Sequence, residues 1–143
     1  MLIRRMTLED IPAVVEIENQ CFSLPWSKKS FEDSLSREDT IFLVCEDEVI
    51  TGYMGMYLSF DEANVTNVAV SPRYREKGYG ESLVAAAKEE AKAAGAECIF
   101  LEVRQSNVPA ISLYKKLNFE ELGIRKKFYE HPVEDAIIMK VGI

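Results

Sequence analysis

Val68-Ala69-Val70-Ser71-Pro72-Arg73-Tyr74-Arg75-Glu76-Lys77-Gly78-Tyr79-Gly80-Glu81 is the stretch on which the fold turns. The apolar run Val65 to Val70 reads as a strand, and Ser71-Pro72 stops it. Beyond Gly80 the apolar residues Leu83, Val84, Ala87, Ala91 and Ala94 recur at helical spacing, and Gly95 marks the helix end. The stretch is therefore strand, glycine-containing loop, helix. Gly78 and Gly80 permit backbone conformations and close approach that other residues resist. The helix start leaves N–H groups unpaired at the positive end of its dipole, which makes an anion site. Arg73, Arg75 and Lys77 outnumber Glu76, a positive island in a chain of net charge −7. Two familiar phosphate loops do not fit. A Walker loop needs Gly-Lys-Ser/Thr. A dinucleotide loop needs a third glycine where Leu83 stands, and its glycines follow the strand directly, whereas Ser71 to Lys77 intervene here. A plain flexible loop is the other reading of the same residues.

Working outward, Leu2 to Met6 reads as a first strand and Thr7 to Asp10 as a capping signal. Leu8, Ile11, Val15, Ile17 and Phe22 follow at roughly helical spacing. Pro25-Trp26 ends that pattern, and Ser27 caps a second helix carrying Phe31 and Leu35. Ile41 to Cys45 and Val49 to Phe60 form a hairpin around Glu46-Asp47-Glu48. After the glycine loop and its helix, Cys98 to Val103 is a buried-strand candidate. Asn107 caps another helix, with Pro109 in its first turn, Ile111, Tyr114 and Leu117 along it, and Asn118 as a left-handed terminator. Phe119 to Tyr129 and Asp135 to Val141 close the chain as a hairpin. The order β-α-α-β-β-β-α-β-α-β-β predicts an α/β (α+β) fold: a mixed, mostly antiparallel sheet of about seven strands with helices on both faces. No linker or repeat interrupts residues 1–143, which read as one domain.

Composition narrows the function. No apolar run approaches the ~20 residues of a membrane span. Met1 to Arg5 lacks a signal-peptide core, so the expectation is a cytoplasmic protein without a membrane partner. The acidic balance argues against direct nucleic-acid binding and suits a cationic substrate. Cys21, Cys45 and Cys98 are odd in number and widely spaced, and His131 is the one histidine. Neither a disulfide framework nor a metal site is expected.

The second informative run is Leu101-Glu102-Val103-Arg104-Gln105-Ser106-Asn107, followed by Ala110-Ile111-Ser112-Leu113-Tyr114. Glu102 stands near the C-terminal end of an apolar strand, where ligands bind in sheets of this kind. These residue types suit aminolysis of a thioester. A peptide α-amine titrates at about 7.7–8.0 and must lose a proton to attack. A carboxylate such as Glu102 suits the base, and a phenol such as Tyr114 suits the acid that protonates the leaving thiolate. From spacing alone, Glu102 also reads as a solvated strand residue, Tyr114 as a core tyrosine and Asn107 as an ordinary cap. Trp26 and Tyr129 read either as lining of a peptide groove or as packing.

The two runs carry a resemblance. Val68-Ala69-Val70-Ser71-Pro72 with Arg75-x-x-Gly78-x-Gly80 resembles the acetyl-CoA motif of the GNAT superfamily. Leu101-Glu102-Val103-Arg104-x-Ser106-Asn107-x-x-Ala110-Ile111-x-Leu113-Tyr114-x-x-Leu117-Asn118-Phe119, with Pro25-Trp26-Ser27 and Glu134 to Met139, resembles its RimI subgroup, the ribosomal-protein-alanine N-acetyltransferases. Asn118 stands where many relatives have glycine. The resemblance implies a GNAT fold in which the strand ending at Val68, Ala69 and Val70 splays from its neighbour and pairs with the pantetheine arm. It implies that backbone N–H groups of Glu76, Lys77, Gly78, Tyr79, Gly80 and Glu81 hold the pyrophosphate, that Arg75 belongs to the same cofactor-binding motif, and that Asn107 holds the pantetheine. It makes Glu102 the proton acceptor, Tyr114 the proton donor, acetyl-CoA the donor substrate and a ribosomal protein's N-terminus the partner. The attack is direct, so Cys98 is no nucleophile. The link from Tyr129 to Asp135 would border the acceptor groove. Two alternatives share the cofactor loop: a small-amine or antibiotic acetyltransferase, and a non-catalytic acyl-CoA-binding module.

Overall fold

The apolar runs alternate with helical stripes because each face of one sheet needs a cover. A computed structural model describes residues 1–143. Its strands are β1 (Leu2–Arg5), β2 (Thr40–Asp47), β3 (Val49–Ser59), β4 (Glu62–Val70), β5 (Cys98–Arg104), β6 (Glu120–Tyr129) and β7 (Glu134–Gly142), and its helices are α1 (Ile11–Cys21), α2 (Lys28–Leu35), α3 (Tyr79–Ala93) and α4 (Val108–Lys116). The order of elements matches the one read from the sequence. The seven strands form one sheet in the order β1-β2-β3-β4-β5-β7-β6, antiparallel except for β4 beside β5. No helix is long and apolar enough to cross a membrane.

The central strands are apolar on both faces, and their alternation sorts side chains into two cores. Ile41, Leu43, Cys45, Met54 and Met56 face α3 and α4, where they meet Leu83, Val84, Ala87 and Tyr114. Phe42, Val44, Tyr53 and Ala69 face α1 and α2, where they meet Ile11, Val14, Ile17 and Phe31. The helix stripes differ from the sequence expectation at their ends. Leu8 is 63% exposed and Phe22 40% exposed. The buried face of α1 is Ile11, Val14, Ile17 and Glu18. Leu8 lies in a single 3-10 turn before α1, outside the helical register, and Phe22 is already extended. Ala94 is likewise exposed, as the residue that caps α3. The caps are as expected. The Ser27 hydroxyl accepts from the Ser30 N–H at 3.1 Å, and Asn107 Oδ1 accepts from the Ala110 N–H at 3.3 Å.

Two irregularities position the site. Gly55 pairs with Asn67 but Met56 pairs with Val65, so Thr66 is an extra residue and β4 bulges there. On its other edge β4 pairs with β5 over Glu62, Ala63 and Asn64 only. Beyond the bulge the two strands part, while β5 stays paired with β7 from Cys98 to Arg104. The sheet is thus two blocks, β1 to β4 and β5-β7-β6, joined at one end and open at the other.

Close packing holds the first block flat against α2. Phe31 lies edge-on to Tyr53 at 5.8 Å and to Phe42 at 6.3 Å, and Trp26 tilts over Phe31 at 5.2 Å. A Cβ on Gly55 would lie 2.2 Å from the Phe42 ring. Gly55→Ala should therefore cost about 1–3 kcal/mol of stability, the range for overpacking. Chemical denaturation measures this, and an unchanged midpoint would show that the Phe42 ring yields freely.

Candidate active site

The parting of β4 and β5 opens clefts on both faces of the sheet. The first, about 750 Å³, lies between the free half of β4, the start of α3 and the inner side of α4. Val68, Ala69, Val70, Arg75, Glu76, Gly78, Tyr79, Gly80, Glu81, Asn107 and Tyr114 all line it, with Leu113 and Cys21. Of the residues named from the sequence for this region, Lys77 alone is outside the lining; its ammonium sits 5.7 Å over the Tyr74 ring. Glu76 and Gly78 both have positive φ, 65° and 84°. Left-handed positions of this kind let the N–H groups of a loop converge on an anion, and the N–H groups of Tyr79, Gly80 and Glu81 at the head of α3 have no intrahelical partners. A Cβ on Gly80 would fill the space between Leu113 and Val70, at 3.4 and 3.6 Å.

Charges around this cleft are partly engaged. Arg75 turns back toward β4: its Nε donates to the Val70 carbonyl at 3.2 Å and its Nη2 reaches Cys21 Sγ at 3.2 Å. Burial raises the Cys21 thiol, opposed by Arg75. The Tyr79 hydroxyl donates to Asp47 at 2.6 Å, and this bond pushes its phenol up to about 12. Glu81 pairs with Lys116 at 3.0 Å. The anion-binding capacity of the loop therefore rests mainly on its backbone.

The second cleft, about 850 Å³, lies on the opposite face, between the α1–α2 connection, the free half of β4, and the β6–β7 turn. On β5, Ile99, Leu101 and Val103 belong to the α3 and α4 core, so Glu102 points to this other face. Counting on from the last pair, Asn64 with Phe100, and with Thr66 absorbed by the bulge, Asn67 comes level with Glu102 across the gap. Both line the second cleft, as do Trp26 and Tyr129. Tyr114, Asn107 and Val68 line both clefts. The gap in the sheet is where the two clefts meet, with Tyr114 on one side and Glu102 on the other.

The electrostatics separate these two groups. Arg125 Nε lies 3.5 Å from Glu102 Oε1 at the rim. Burial first, and then Tyr129, hold the Tyr114 phenol well above the ordinary tyrosine range. Tyr114 thus keeps its proton through neutral and mildly alkaline pH. Tyr129 is pushed up to about 12, by burial first and by the Glu102 charge next, against Arg104. The Arg104 guanidinium covers the Tyr129 ring at 4.5 Å and donates to the carbonyls of Pro132 and Glu130, both at 3.0 Å. Glu134 accepts from Arg104 at 3.1 Å and from the Ser106 N–H at 2.5 Å. This network fixes the β6–β7 turn to the end of β5, so the link from Tyr129 to Asp135 does wall the second cleft.

The floor of that cleft holds residues that the sequence reading passed over. Glu18, 2% exposed, accepts from the Trp26 N–H at 2.9 Å, from the Tyr53 hydroxyl, and from Asn67 Nδ2 at 3.4 Å. Asn67 Oδ1 is buried without a partner. The available signal was spacing: Glu18 follows Ile11 and Val14 by seven and four residues, on the apolar stripe of α1.

Residues 11–119 match the acetyltransferase (GNAT) family. Over 143 residues the chain is 44% identical to the putative [ribosomal protein bS18]-alanine N-acetyltransferase of Bacillus subtilis, covering 99% of this chain and 95% of the relative. The chain belongs to the GNAT acetyltransferase family. It is also 34% identical to the [ribosomal protein bS18]-alanine N-acetyltransferase of Escherichia coli K12, with 99% and 97% covered. The crystal structure of the Escherichia coli ribosomal-protein-S18-alanine N-acetyltransferase superposes with a TM-score of 0.90 at 33% identity, with 99% and 93% covered. GNAT acetyltransferases take their acetyl group from acetyl-CoA, and the first cleft fits it. The left-handed loop and the unpaired N–H groups at the head of α3 suit the pyrophosphate, the open edge of β4 suits an extended amide chain, and Gly80 leaves the floor clear. No group of three or more His, Cys, Asp or Glu side chains is close enough to hold a metal ion.

In this GNAT chain the two left-handed residues make the loop what it is. Gly78→Val should raise the acetyl-CoA dissociation constant tenfold or more, because a β-branched residue resists a φ of 84°. Gly123→Ala, which meets nothing within 4 Å, is the control. Isothermal calorimetry reads both, and equal affinities would remove the loop's winding from the binding argument.

Proposed function

We propose that residues 1–143 form one cytoplasmic domain that acetylates the N-terminal amine of a ribosomal protein beginning with alanine, the activity named for the relatives. The observation that carries this reading is the junction of the two clefts at the gap between β4 and β5, with Glu102 and Tyr114 on its two sides. Acetyl-CoA supplies an acetyl thioester when bound. The free edge of β4 at Val68, Ala69 and Val70, with Asn107 at the head of α4, holds the donor chain in extended form. The loop from Arg75 to Glu81 holds its pyrophosphate through main-chain N–H groups.

The acceptor enters from the opposite face, past Trp26 and Tyr129. Glu102 takes a proton from the α-ammonium, directly or through a water molecule, since an amine at about pKa 7.7–8.0 is mostly protonated near neutrality. The amine nitrogen bonds the acetyl carbon as the carbon–sulfur bond breaks; Tyr114, which still holds its proton at neutral pH, protonates the departing thiolate and takes up the nitrogen's second proton in return. Each proton transfer is typically worth about 10²–10⁴ in rate, and bringing the two partners together roughly 7–11 kcal/mol. Positioning by the gap is thus a larger contribution than either proton transfer alone.

The test uses peptides that differ in their first two residues, with acetyl-CoA, read by mass spectrometry. An alanine-first peptide should be acetylated at its α-amine, in preference to polyamines or aminoglycosides. Glu102→Gln and Tyr114→Phe should each cut kcat by about 10²-fold or more while acetyl-CoA still binds. Full turnover in both variants would remove the pair from the mechanism, and faster acetylation of a polyamine would favour the small-amine reading.

A further inference from the structure

The acceptor side of the gap contains a buried carboxylate with no cation beside it. Glu18 is satisfied by three neutral donors, from Trp26, Tyr53 and Asn67, and forms no ion pair. Buried carboxylates are ordinarily paired with a cation. Beside it, Asn67 is 6% exposed, and its Oδ1 has no donor at all. The Asn67 amide cannot turn over to find one, because its Nδ2 is directed at Glu18. A negative charge and an unpaired acceptor thus stand together in the lining of the second cleft, level with Glu102.

The neighbours do not supply the missing charge. Tyr53 on β3 donates to Glu18 from a neutral phenol, raised by burial first and by the hydrogen bond to Glu18 next. Cys21 on α1 is a neutral thiol at neutral pH, raised by burial. Arg75 reaches that thiol, and its Nε is spent on the Val70 carbonyl. The α1–α2 connection contributes only the Trp26 N–H. Across the cleft, Glu102 is engaged by Arg125 at 3.5 Å, Glu130 is acidic, Tyr129 is neutral, and Arg104 is committed to Glu134, two carbonyls and the Tyr129 ring. His131 lines the same cleft from the β6–β7 turn.

We propose that Glu18 and Asn67 form the recognition site for the acceptor's N-terminal amine in its charged form. This rests on the reading that the second cleft takes the acceptor. Glu18 holds the α-ammonium through its charge, Asn67 presents the lone pairs of Oδ1 to its N–H groups, and Glu102 then removes the proton. The site selects a primary ammonium at the end of a chain, and it discriminates against an N-terminus that is already acylated.

The experiment measures peptide binding to the enzyme carrying coenzyme A. The two probes are an alanine-first peptide and the same peptide with a propionyl group in place of alanyl, which deletes only the amine. At pH 6.5 the wild-type enzyme should bind the alanyl peptide at least tenfold more tightly. That preference should shrink as pH rises through about 7.7–8.0, where the amine loses its charge. Glu18→Gln should reduce the preference to threefold or less, leaving the propionyl peptide and coenzyme A bound as before. In kcat profiles the acid limb of Glu18→Gln should move to lower pH, since removing the anion makes the bound ammonium release its proton more readily. Equal binding of the two peptides by the wild type, or an equal loss of both in Glu18→Gln, overturns the assignment. If Glu18→Gln does not fold, Glu102→Gln decides. An ammonium preference that survives there supports Glu18, and one abolished by that change assigns the charge to Glu102 alone. A wild-type enzyme that binds neither peptide overturns the acceptor reading of the cleft and this inference with it.

Discussion

The parting of β4 from β5 after three residue pairs is the constraint from which the rest follows. A paired sheet would close the gap with hydrogen bonds and leave no passage between its faces. The extra residue Thr66 bends β4 away, and the antiparallel partners on the outer edges, β3 and β7, keep each block intact. Open strand edges inside a protein are costly unless something satisfies them. Here the Val70 carbonyl is met by Arg75 and by the Cys21 thiol. The stretch before it keeps its edge facing a cleft. A chain with amides of its own can complete that edge as an added strand would.

The gap also divides side chains between the two faces of the sheet. Side chains alternate along β5, so the residues flanking Glu102 serve the core under α3 and α4 while Glu102 faces the other way. The same alternation, shifted once by the bulge, puts Val68 and Val70 with the first face and Asn67 with the second. Charge follows this division. The first cleft presents main-chain N–H groups at a helix start, the positive end of its dipole. The second presents carboxylates, with its arginine neutralised by Glu134. That division suits an anionic donor on one face and a cationic acceptor on the other, in a chain whose net charge alone says only that it is acidic.

Much of this was legible in the sequence. Strand, glycine loop and helix at Val65 to Gly95 were set by local rules: a stop at Ser71-Pro72, a left-handed glycine at Gly78, an apolar stripe beyond. The caps Ser27 and Asn107 and the left-handed Asn118, with φ of 72°, obeyed the same chemistry. Element ends were less legible, because exposed apolar residues such as Leu8 and Phe22 extend a stripe that the backbone has already left. β4 begins at Glu62, earlier than its apolar run, since hydrogen bonding and not hydropathy defines a strand's start. The separation of β4 from β5 was implied only by family resemblance: strand pairing lies between distant segments, and no local pattern encodes its absence. Lys77 was counted with the binding loop for its charge and for its main-chain N–H; its ammonium lies over the Tyr74 ring.

Glu18 shows why a buried charge escapes such a reading. Periodicity sorts residues by polarity, and a glutamate in an apolar stripe looks like a lapse in it. In the fold that single carboxylate does three things at once: it fixes the Trp26 main chain, the Tyr53 hydroxyl and the amide plane of Asn67. Stability alone gives little reason for the carboxylate, since apolar residues of similar volume in place of buried charges are often neutral or stabilising. An unpaired buried acceptor such as Asn67 Oδ1 costs about 1–3 kcal/mol in addition. Both costs fall on the wall of one cleft and on the face that Glu102 shares. The same hydrogen bonds that draw α1, β3 and β4 together there fix the orientation of both side chains.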